Sequence, residues 1–280
     1  MTAALLQDFI VEEHIKNALK EDIGFGDITT DYLVSEDAKI KAKLNTRQNG
    51  VLCGIDIFEK VFKILSKNVE IKKYYKDGDE IKAGDTLAVI EGPARTVLIG
   101  ERTALNYIQR LSGIATETKK YQTAIGDNKA RITDTRKTTP GFRMFEKYAV
   151  FIGGARLHRF NLSDCVMIKD NHIRYAGSIT NAVNKIRGKL SHTHKIEVEC
   201  DTMEQVREAV QAKADIIMLD NMSCDIMKKC VEIINGNAII EASGNVTIDT
   251  IEEIARTGVD VISSSAIVAK AKTLDIALDM

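Results

Sequence analysis

Residues 195–265 read KIEVECDTMEQVREAVQAKADIIMLDNMSCDIMKKCVEIINGNAIIEASGNVTIDTIEEIARTGVDVISSS. Four short apolar runs recur in this stretch about every 22 residues, and amphipathic helical patterns lie between them. A strand followed by a helix at this spacing is the βα unit, whose strands pair in parallel through right-handed crossovers. The repeat therefore predicts a parallel α/β sheet in the C-terminal half of the chain.

Two further β-rich runs precede this repeat, at residues 131–133 and 165–168, and they bring the expected parallel strands to about six. The common α/β barrel closes with eight strands, so six strands fit an incomplete, open α/β barrel better. An open doubly wound sheet is the alternative architecture.

The N-terminal part of the chain has a different pattern. Helical spacing of apolar residues predicts a helix over 11–20, and apolar residues alternating with lysines predict a half-buried strand over 38–46. Further patterns predict a helix over 57–65, short strands over 69–92 and a long helix over 101–124. We therefore expect a helix-flanked, mainly antiparallel sheet before the parallel repeat.

The turn-rich segment DGDEIKAGDTL at 77–87 resembles the hairpins of biotinyl and lipoyl carrier domains. A swinging-arm carrier needs a single lysine at a tight turn between symmetric hairpins, and this segment lacks that symmetry. Short motifs of this kind are weak signals. We therefore expect a structural hairpin here, with a carrier domain as the alternative.

Composition narrows the class of protein. The chain has 280 residues and a formal net charge of -1, so it lacks the overall basic field of a nucleic-acid-binding protein. Its five cysteines show no C-x-x-C spacing, which favours free thiols in a reducing compartment. The N-terminal residues MTAALLQD lack the cationic region of a signal peptide, and no apolar run approaches the ~18 residues of a membrane span. We expect a cytoplasmic protein that binds neither nucleic acid nor membranes.

Polar or ionisable residues follow each of the six expected parallel strands. Because the carboxyl ends of barrel strands converge on one face, and active sites of such barrels lie there, these residues are candidates for one site. The groups are Asp134–Lys137, Lys169–His172, Glu199, Asp220–Asn221, Ser243–Asn245 and Ser263–Ser265.

A dense set of cations falls within or close to these groups: Arg136, Lys137, His158, Arg159 and Lys169, with Arg102 on the long helix as a further candidate. Such a cluster repels itself unless a polyanion fills it. Arginine favours the planar, bidentate oxygens of carboxylate and phosphate. The cluster therefore predicts a ligand with several negative charges.

Two further features suggest what that ligand is. Glu199 and Asp220 supply the hard oxygens that hold Mg²⁺ together with substrate phosphates. Ser243-Gly244-Asn245 stands before an expected helix and offers backbone N–H groups for a terminal phosphate. A polycarboxylate, a phosphorylated sugar and a magnesium ion fit this set.

Other polar residues have simpler explanations. We expect His14, His192 and His194 to lie on helix or loop surfaces, and His172 to cap or pack against its turn. Asp164 is expected to cap a turn, and Gly153-Gly154 to end a helix.

Seven motifs taken together resemble the quinolinate phosphoribosyltransferase family, in the family's order from about residue 20 to the C-terminus. The run DTRKTTPG combined with IKDNH is highly specific, whereas either alone would be only moderately so. The motifs are EDIGFGDITT (21–30), DTRKTTPG (134–141), HR (158–159), IKDNH (168–172), EVE (197–199), LDN (219–221) and EASG (241–244).

The resemblance implies an enzyme that transfers phosphoribosyl from phosphoribosyl pyrophosphate to quinolinate with decarboxylation, giving nicotinate mononucleotide for NAD synthesis. It implies an N-terminal α+β sandwich-like domain over 1–113 and an open α/β barrel over 114–280, whose C-terminal tail can pack back on the first domain. It also implies Mg²⁺ as cofactor and a homodimer with shared active sites, and it leaves further assembly open.

Individual roles follow from the resemblance, position by position. Lys137, Lys169, Glu199 and Asp220 are the expected catalytic residues. Quinolinate would be held by Arg136, His158, Arg159 and Lys169, with Arg102 supplied by the neighbouring subunit. Lys137 would bind the pyrophosphate, Glu199 and Asp220 would act with Mg²⁺, and Ser243, Gly244, Ser264 and Ser265 would contact phosphate.

The chain departs from the family pattern at three positions. Leu157 stands where Asn is usual, Ser265 where Gly is common in the last phosphate loop, and Ala269 where His is common. The Ser265 departure bears on whether that loop contacts phosphate, and it does not bear on the reaction. A related molybdate-associated family shares the opening motif but lacks the intact Lys169–His172 run, which makes it the weaker match.

Two alternative functions remain open, a different enzyme and a binding protein without catalysis. Lys137 and Lys169 follow barrel strands, as the amine of a Schiff-base aldolase would, although neighbouring arginines keep such amines protonated. An anion sensor would need no catalysis, but Glu199 and Asp220 would repel its ligand.

Overall fold

The computed structural model describes residues 5–280, so the first four residues of the N-terminal segment MTAALLQD lie outside it. The described chain divides into two compact units. The first unit runs to Lys119 and also includes Thr139–Gly154 and Ala271–Met280, whereas the second comprises Lys120–Thr138 and Ala155–Lys270. The boundary predicted after residue 113 falls inside a single long helix, Ala94–Ile125, and stays a prediction.

Helices and strands are numbered in chain order. The helices are α1 (Asp8–Ile23), α2 (Ile28–Leu33), α3 (Ile55–Leu65), α4 (Ala94–Ile125), α5 (Arg143–Ile152), α6 (Asp170–Ala176), α7 (Ile179–Arg187), α8 (Met203–Gln211), α9 (Cys224–Ile234), α10 (Ile251–Ala255) and α11 (Ala266–Ala269). The strands are β1 (Lys39–Thr46), β2 (Gly50–Val51), β3 (Glu70–Lys73), β4 (Glu80–Ile81), β5 (Thr86–Pro93), β6 (Arg131–Thr133), β7 (Val166–Ile168), β8 (Ile196–Cys200), β9 (Ile216–Asp220), β10 (Ile239–Ser243), β11 (Val261–Ser263) and β12 (Ile276–Asp279).

The first unit contains the predicted antiparallel sheet, with strand order β12-β1-β5-β3. Along β1, Ala42 and Leu44 are buried while the intervening Lys41 and Lys43 are exposed, because successive side chains of a strand point to opposite faces. The C-terminal strand β12 pairs with β1, with Leu278 opposite Leu44. The last residues of the chain therefore complete the first sheet.

The hairpin expected over 77–87 is wrong. Strand β4 pairs with β2, whereas β5 pairs with β1 and β3, so the two strands flanking the Gly84 turn belong to different sheets. The Asp77 carboxylate accepts hydrogen bonds from the backbone N–H groups of Gly54 and Ile55 at the start of α3. The segment connects structural elements of the first unit.

His14 also differs from its expected surface position. Its imidazole Nδ1 lies 2.6 Å from the hydroxyl of Tyr107, and its ring packs against Phe142 and Phe145. Burial lowers the pKa of His14. The α1 pattern correctly placed His14 on a helix but could not show that aromatic residues distant in the chain cover it.

The second unit contains a six-stranded sheet of order β6-β11-β10-β9-β8-β7, and the described strand pairs in it are parallel. Five strands follow one another in chain order, and β6, the first strand, pairs with β11, the last. In a doubly wound sheet the first strand would instead lie in the middle of the order. The strand order is therefore that of an open α/β barrel, as predicted.

The barrel is open between β6 and β7, the two ends of the strand order. Arg156 makes a single parallel bridge with Thr133, and its N–H donates to the carbonyl of Ile132, so this segment occupies the position of a further strand. The next strand in the chain, β7, pairs with β8.

Local chemistry explains why the crossover helices begin where they do. The side chains of Ser178, Thr202 and Ser223 each accept a hydrogen bond from an N–H in the first turn of α7, α8 and α9. Two carboxylates bind backbone groups at the starts of strands. Asp215 accepts a hydrogen bond from the N–H of Ile196 in β8, and Asp260 accepts one from the N–H of Ile240 in β10. Among residues 5–280, no helix is both long and apolar enough to cross a membrane.

Candidate active site

A cavity of about 800 Å³ opens at the carboxyl ends of the parallel strands, within the second unit. Most of its lining consists of residues that follow the strands. The lining residues are Thr135, Arg136, Lys137, His158, Arg159, Met167, Lys169, Glu199, Met218, Asp220, Asn221, Ser243, Gly244, Asn245, Val246, Thr247, Ser263, Ser264, Ser265, Ala266 and Lys270.

The predicted site residues come together with one exception. Arg136, Lys137, His158, Arg159 and Lys169 all line the cavity, as do the predicted acidic and phosphate-contacting residues. Arg102 is exposed on α4 in the first unit and does not line the cavity of this chain. Parallel register explains the convergence, since Asp220 at the end of β9 lies opposite Ser243 at the end of β10.

His158 lies between two buried carboxylates. Its Nε2 is 3.6 Å from Oε2 of Glu197 and 3.4 Å from Oε1 of Glu241, and both carboxylate side chains are almost fully buried. Burial by itself lowers the pKa of His158, but the two carboxylates outweigh burial and raise it to about 10. Burial also raises the pKa of Glu197. The two carboxylates therefore favour the charged form of His158, whereas the backbone N–H of Arg159, which donates to Nδ1 at 2.7 Å, favours the neutral ring.

Glu197 and Glu241 were missed as site residues by the sequence reasoning, although both lie in quoted motifs. Each stands two residues before a predicted site residue, Glu199 or Ser243, on the same strand. Side chains two apart on a strand share a face, so this spacing could have revealed them. Lys270, which lines the cavity after α11, follows no predicted strand and gave no such signal.

Arg159 and Lys169 are held by neighbouring groups. The guanidinium of Arg159 donates to the carbonyl of Cys165, at 2.8 Å, and lies 3.5 Å from the sulfur of Met167 in β7. The ammonium of Lys169 forms an ion pair with the carboxylate of Glu199. These contacts orient two of the cavity's cations without any ligand.

His172 has the capping role expected from the sequence. Its Nδ1 accepts a hydrogen bond from the N–H of Lys169, 2.9 Å away, at the start of α6. Asp164 likewise accepts from the N–H of Phe160 and closes a turn. Gly153 follows the last residue of α5, as predicted.

The loop after β10 approaches the residue after β9 closely. A Cβ built on Gly244 would lie 2.3 Å from Oδ1 of Asn221, so a side chain at residue 244 would collide with it. Gly244 has φ +91°, and the two asparagines Asn221 and Asn245 also have left-handed backbones. Glycine and asparagine are the residues that adopt this conformation most readily.

Ser264 and Ser265 form the last loop of the cavity. The Ser264 hydroxyl donates to the carbonyl of Val246 and accepts from the N–H of Ala266. Ser265 has φ −75° and ψ −17°, a right-handed conformation open to every residue. Serine in place of the family's common glycine is therefore compatible with this backbone.

The carboxylates of Glu199 and Asp220 reach the cavity from neighbouring strands, β8 and β9. Mg²⁺ takes oxygen ligands and is usually held by one or two carboxylates together with substrate phosphates. This pair of oxygen donors fits such an ion. Glu199 already contacts Lys169, whereas Asp220 accepts a hydrogen bond on Oδ2 from Asn221.

Family models cover nearly the whole chain. Residues 27–112 match the model described as the N-terminal domain of quinolinate phosphoribosyl transferase, and residues 114–279 match its C-terminal domain.

Individual relatives cover similar lengths. The chain is 44% identical over 260 residues to a probable nicotinate-nucleotide pyrophosphorylase [carboxylating] of Bacillus subtilis, covering 93% of this chain and 90% of the relative. It is 40% identical to quinolinate phosphoribosyltransferase [decarboxylating] 2b of Nicotiana tabacum, covering 96% and 81%. The crystal structure of NadC from Streptococcus pyogenes is similar with a TM-score of 0.95 and 39% identity, covering 98% of this chain and 97% of that one.

Proposed function

This chain belongs to the quinolinate phosphoribosyltransferase family, and from that premise we propose how its cavity performs the family's reaction. The enzyme transfers the phosphoribosyl group of phosphoribosyl pyrophosphate to quinolinate and releases CO₂, a step of NAD biosynthesis. The products are nicotinate mononucleotide, pyrophosphate and CO₂. The observation that carries the assignment of residues is one cavity lined by five lysine and arginine side chains, by His158 and by two carboxylates.

Quinolinate, a pyridine with two adjacent carboxylates, fits the cationic side of the cavity. We assign Arg136, His158, Arg159 and Lys169 to it. Support comes from the orientation of three of these groups by protein contacts, because a cation held in place loses little entropy when it binds a carboxylate. His158 lines the cavity, and its ring is held by two buried carboxylates at Nε2 and by the backbone N–H of Arg159 at Nδ1.

Phosphoribosyl pyrophosphate fits the other side of the cavity. The proposal assigns its 5′-phosphate to Ser243, Gly244, Ser264 and Ser265, and its pyrophosphate to Lys137. Support comes from the loops after β10 and β11, which both line the cavity and have no acidic side chain among its lining residues. Glu199 and Asp220 would hold Mg²⁺, which neutralises the charge that develops on the departing pyrophosphate.

The chemical steps need orientation more than covalent help. The C1–pyrophosphate bond of the ribose breaks as the pyridine nitrogen forms its bond to C1, and Lys137 stabilises the charge on the leaving group. The nitrogen is then cationic, so the ring can accept the electron pair of the breaking carbon–carboxylate bond as CO₂ leaves. A proton then replaces CO₂ on the ring. Arg136, Arg159 and Lys169 position the ring for both steps.

The Schiff-base alternative is not favoured. The Lys169 ammonium is ion-paired with Glu199, and Lys137 lies beside Arg136, so each amine has a charged neighbour. An amine nucleophile must instead lose its proton. The ion pair with Glu199 is instead compatible with a Lys169 ammonium that binds a carboxylate of the substrate.

The homodimer is a separate part of the proposal. Arg102 is expected to enter the cavity of the neighbouring subunit, in agreement with its exposed position on α4. A cytoplasmic location also remains a prediction.

A turnover assay tests the proposal. Purified protein with quinolinate, phosphoribosyl pyrophosphate and Mg²⁺ is expected to form nicotinate mononucleotide, pyrophosphate and CO₂ in equal amounts. Excess EDTA is expected to stop the reaction, and added Mg²⁺ to restore it. Equal activity with and without EDTA would contradict the assignment of Mg²⁺ to the site. Absence of product under every condition would contradict the proposed reaction.

A further inference from the structure

We infer that Asn221 is a positioning residue that joins the Asp220 carboxylate to the phosphate loop, defined as residues 243–245, so that the metal-binding and phosphate-binding groups act as one unit. The inference rests on the proposed function, in which Asp220 holds Mg²⁺ and the phosphate loop holds the 5′-phosphate. Asn221 itself is assigned no contact with substrate.

Both ends of the Asn221 side-chain amide are used. Its Nδ2 donates to Oδ2 of Asp220 at 2.8 Å, and its Oδ1 accepts from Nδ2 of Asn245 at 3.0 Å. Its backbone N–H donates to the carbonyl of Ser243 at 3.0 Å. Asn221 therefore bonds to Asp220 before it and to both ends of the phosphate loop.

The backbone at this position suits asparagine. Asn221 has φ +53°, in the left-handed region, where asparagine and glycine are favoured among the amino acids. This conformation directs the amide toward Gly244, where a Cβ would lie only 2.3 Å from its Oδ1. Glycine at residue 244 therefore leaves the space that the amide of Asn221 occupies.

The consequence concerns how Asp220 is oriented. A carboxylate that holds a metal must keep one oxygen directed at the ion, and hydrogen bonds from neighbouring groups usually fix that direction. Asn221 provides such a bond to Oδ2 of Asp220. Because the same amide also binds Asn245, displacement of the phosphate loop changes the orientation of Asp220.

Asn221→Asp is the most direct variant. It keeps the size of the side chain and an oxygen for Asn245 to donate to, but it replaces the donor facing Asp220 with a second negative oxygen. Loss of a group that orients a metal ligand typically lowers affinity or activity about 10- to 100-fold. We expect a loss in this range for kcat, together with a rise in KM for phosphoribosyl pyrophosphate and a KM for quinolinate within about twofold of the wild-type value.

Asn221→Gly tests the contribution of the side chain apart from that of the backbone conformation. Glycine adopts the left-handed conformation without strain, so the fold is retained while both side-chain hydrogen bonds are lost. The same split between the two KM values is expected. Asn235→Asp is the matched control, because Asn235 also has a left-handed backbone, is exposed at the end of α9 and does not line the cavity.

A binding measurement provides a readout besides turnover. Calorimetric titration of phosphoribosyl pyrophosphate in the presence of Mg²⁺ is expected to show at least about tenfold weaker binding to Asn221→Asp than to the wild type and to Asn235→Asp. Wild-type affinity in Asn221→Asp would overturn the inference, as would equal rises in both KM values. If the wild type binds phosphoribosyl pyrophosphate but does not turn over quinolinate, the proposed reaction fails, and the titration still decides the role of Asn221.

Discussion

The Nε2 of His158 lies 3.4 Å from Oε1 of Glu241, a buried carboxylate on a strand more than 80 positions further along the chain. Glu197 approaches the same imidazole nitrogen from a second strand. The cationic cluster of the cavity thus has buried negative charge directly behind it. This charge reduces the mutual repulsion of the cations when no substrate is bound.

Stability is expected to depend on pH through His158. Its pKa rises from 6.5 to about 10 on folding, so its stabilising contribution is fully present below pH 6.5 and is lost as the pH rises through about 10. The free energy of unfolding should therefore fall between pH 7 and pH 10. Urea denaturation of His158→Gln should show a smaller fall across this interval. An identical pH dependence in the variant would mean that His158 is neutral in the folded protein.

Lys137→Ala is expected to lower kcat/KM about a hundred- to a thousandfold, because the proposal assigns its ammonium to the departing pyrophosphate. The side chain is exposed at the rim of the cavity, so the circular dichroism spectrum and the melting temperature should remain those of the wild type. Lys189→Ala, an exposed lysine of the same unit outside the cavity, serves as control. Near wild-type turnover in Lys137→Ala would contradict the assignment.

Quinolinate is expected to be preferred over nicotinate by at least about a thousandfold in kcat/KM. Nicotinate lacks the carboxylate next to the ring nitrogen, so one cationic group of the cavity would stay buried without its anion, which costs several kcal/mol. Competition between the two acids in one assay measures the ratio directly. Comparable use of both acids would contradict the assignment of Arg136 and Arg159.

Ser265→Gly should change kcat/KM for phosphoribosyl pyrophosphate by less than about twofold. The backbone of Ser265 is right-handed, so glycine brings no conformational advantage, and its greater freedom in the unfolded chain should lower stability by up to about 1 kcal/mol. Steady-state kinetics and thermal unfolding test the two parts. A large gain in activity would show that the serine impairs this loop.

Mixing Arg102→Ala with Lys169→Ala is expected to restore activity toward roughly a quarter of the wild-type value, although each variant alone is nearly inactive. In a twofold dimer with shared sites, half of the mixed dimers' sites combine an intact Arg102 with an intact Lys169. Native mass spectrometry can verify that subunits have exchanged. Absence of recovery after verified exchange would mean that Arg102 serves its own subunit or none.

Much of the site could be read from the sequence because it follows a local rule. Asp220, Ser243 and Ser264 each lie at the end of an apolar run, and parallel strands bring such ends together whatever their distance along the chain. Element boundaries were less accurate: the helix expected over 101–124 spans Ala94–Ile125.

Other features depended on contacts that no local pattern encodes. Nothing within α1 indicates that Tyr107 and Phe145 cover His14, and the turn residues around Gly84 do not reveal that β4 pairs with β2. Pairing partners are selected by packing across the whole unit, whereas turn residues report only the local backbone conformation.

The sequence by itself determined the parallel α/β repeat and the rim of charged residues, because hydrophobic period and strand-end chemistry are properties of short segments. The choice between an open barrel and a doubly wound sheet was decided by the pairing of β6 with β11. Only the tertiary structure decided that Glu197 and Glu241 meet at His158, and that the amide of Asn221 fills the space left by Gly244. These relationships depend on the register between neighbouring strands and on the left-handed backbone at Asn221, and both result from the packing of the assembled sheet rather than from any one segment.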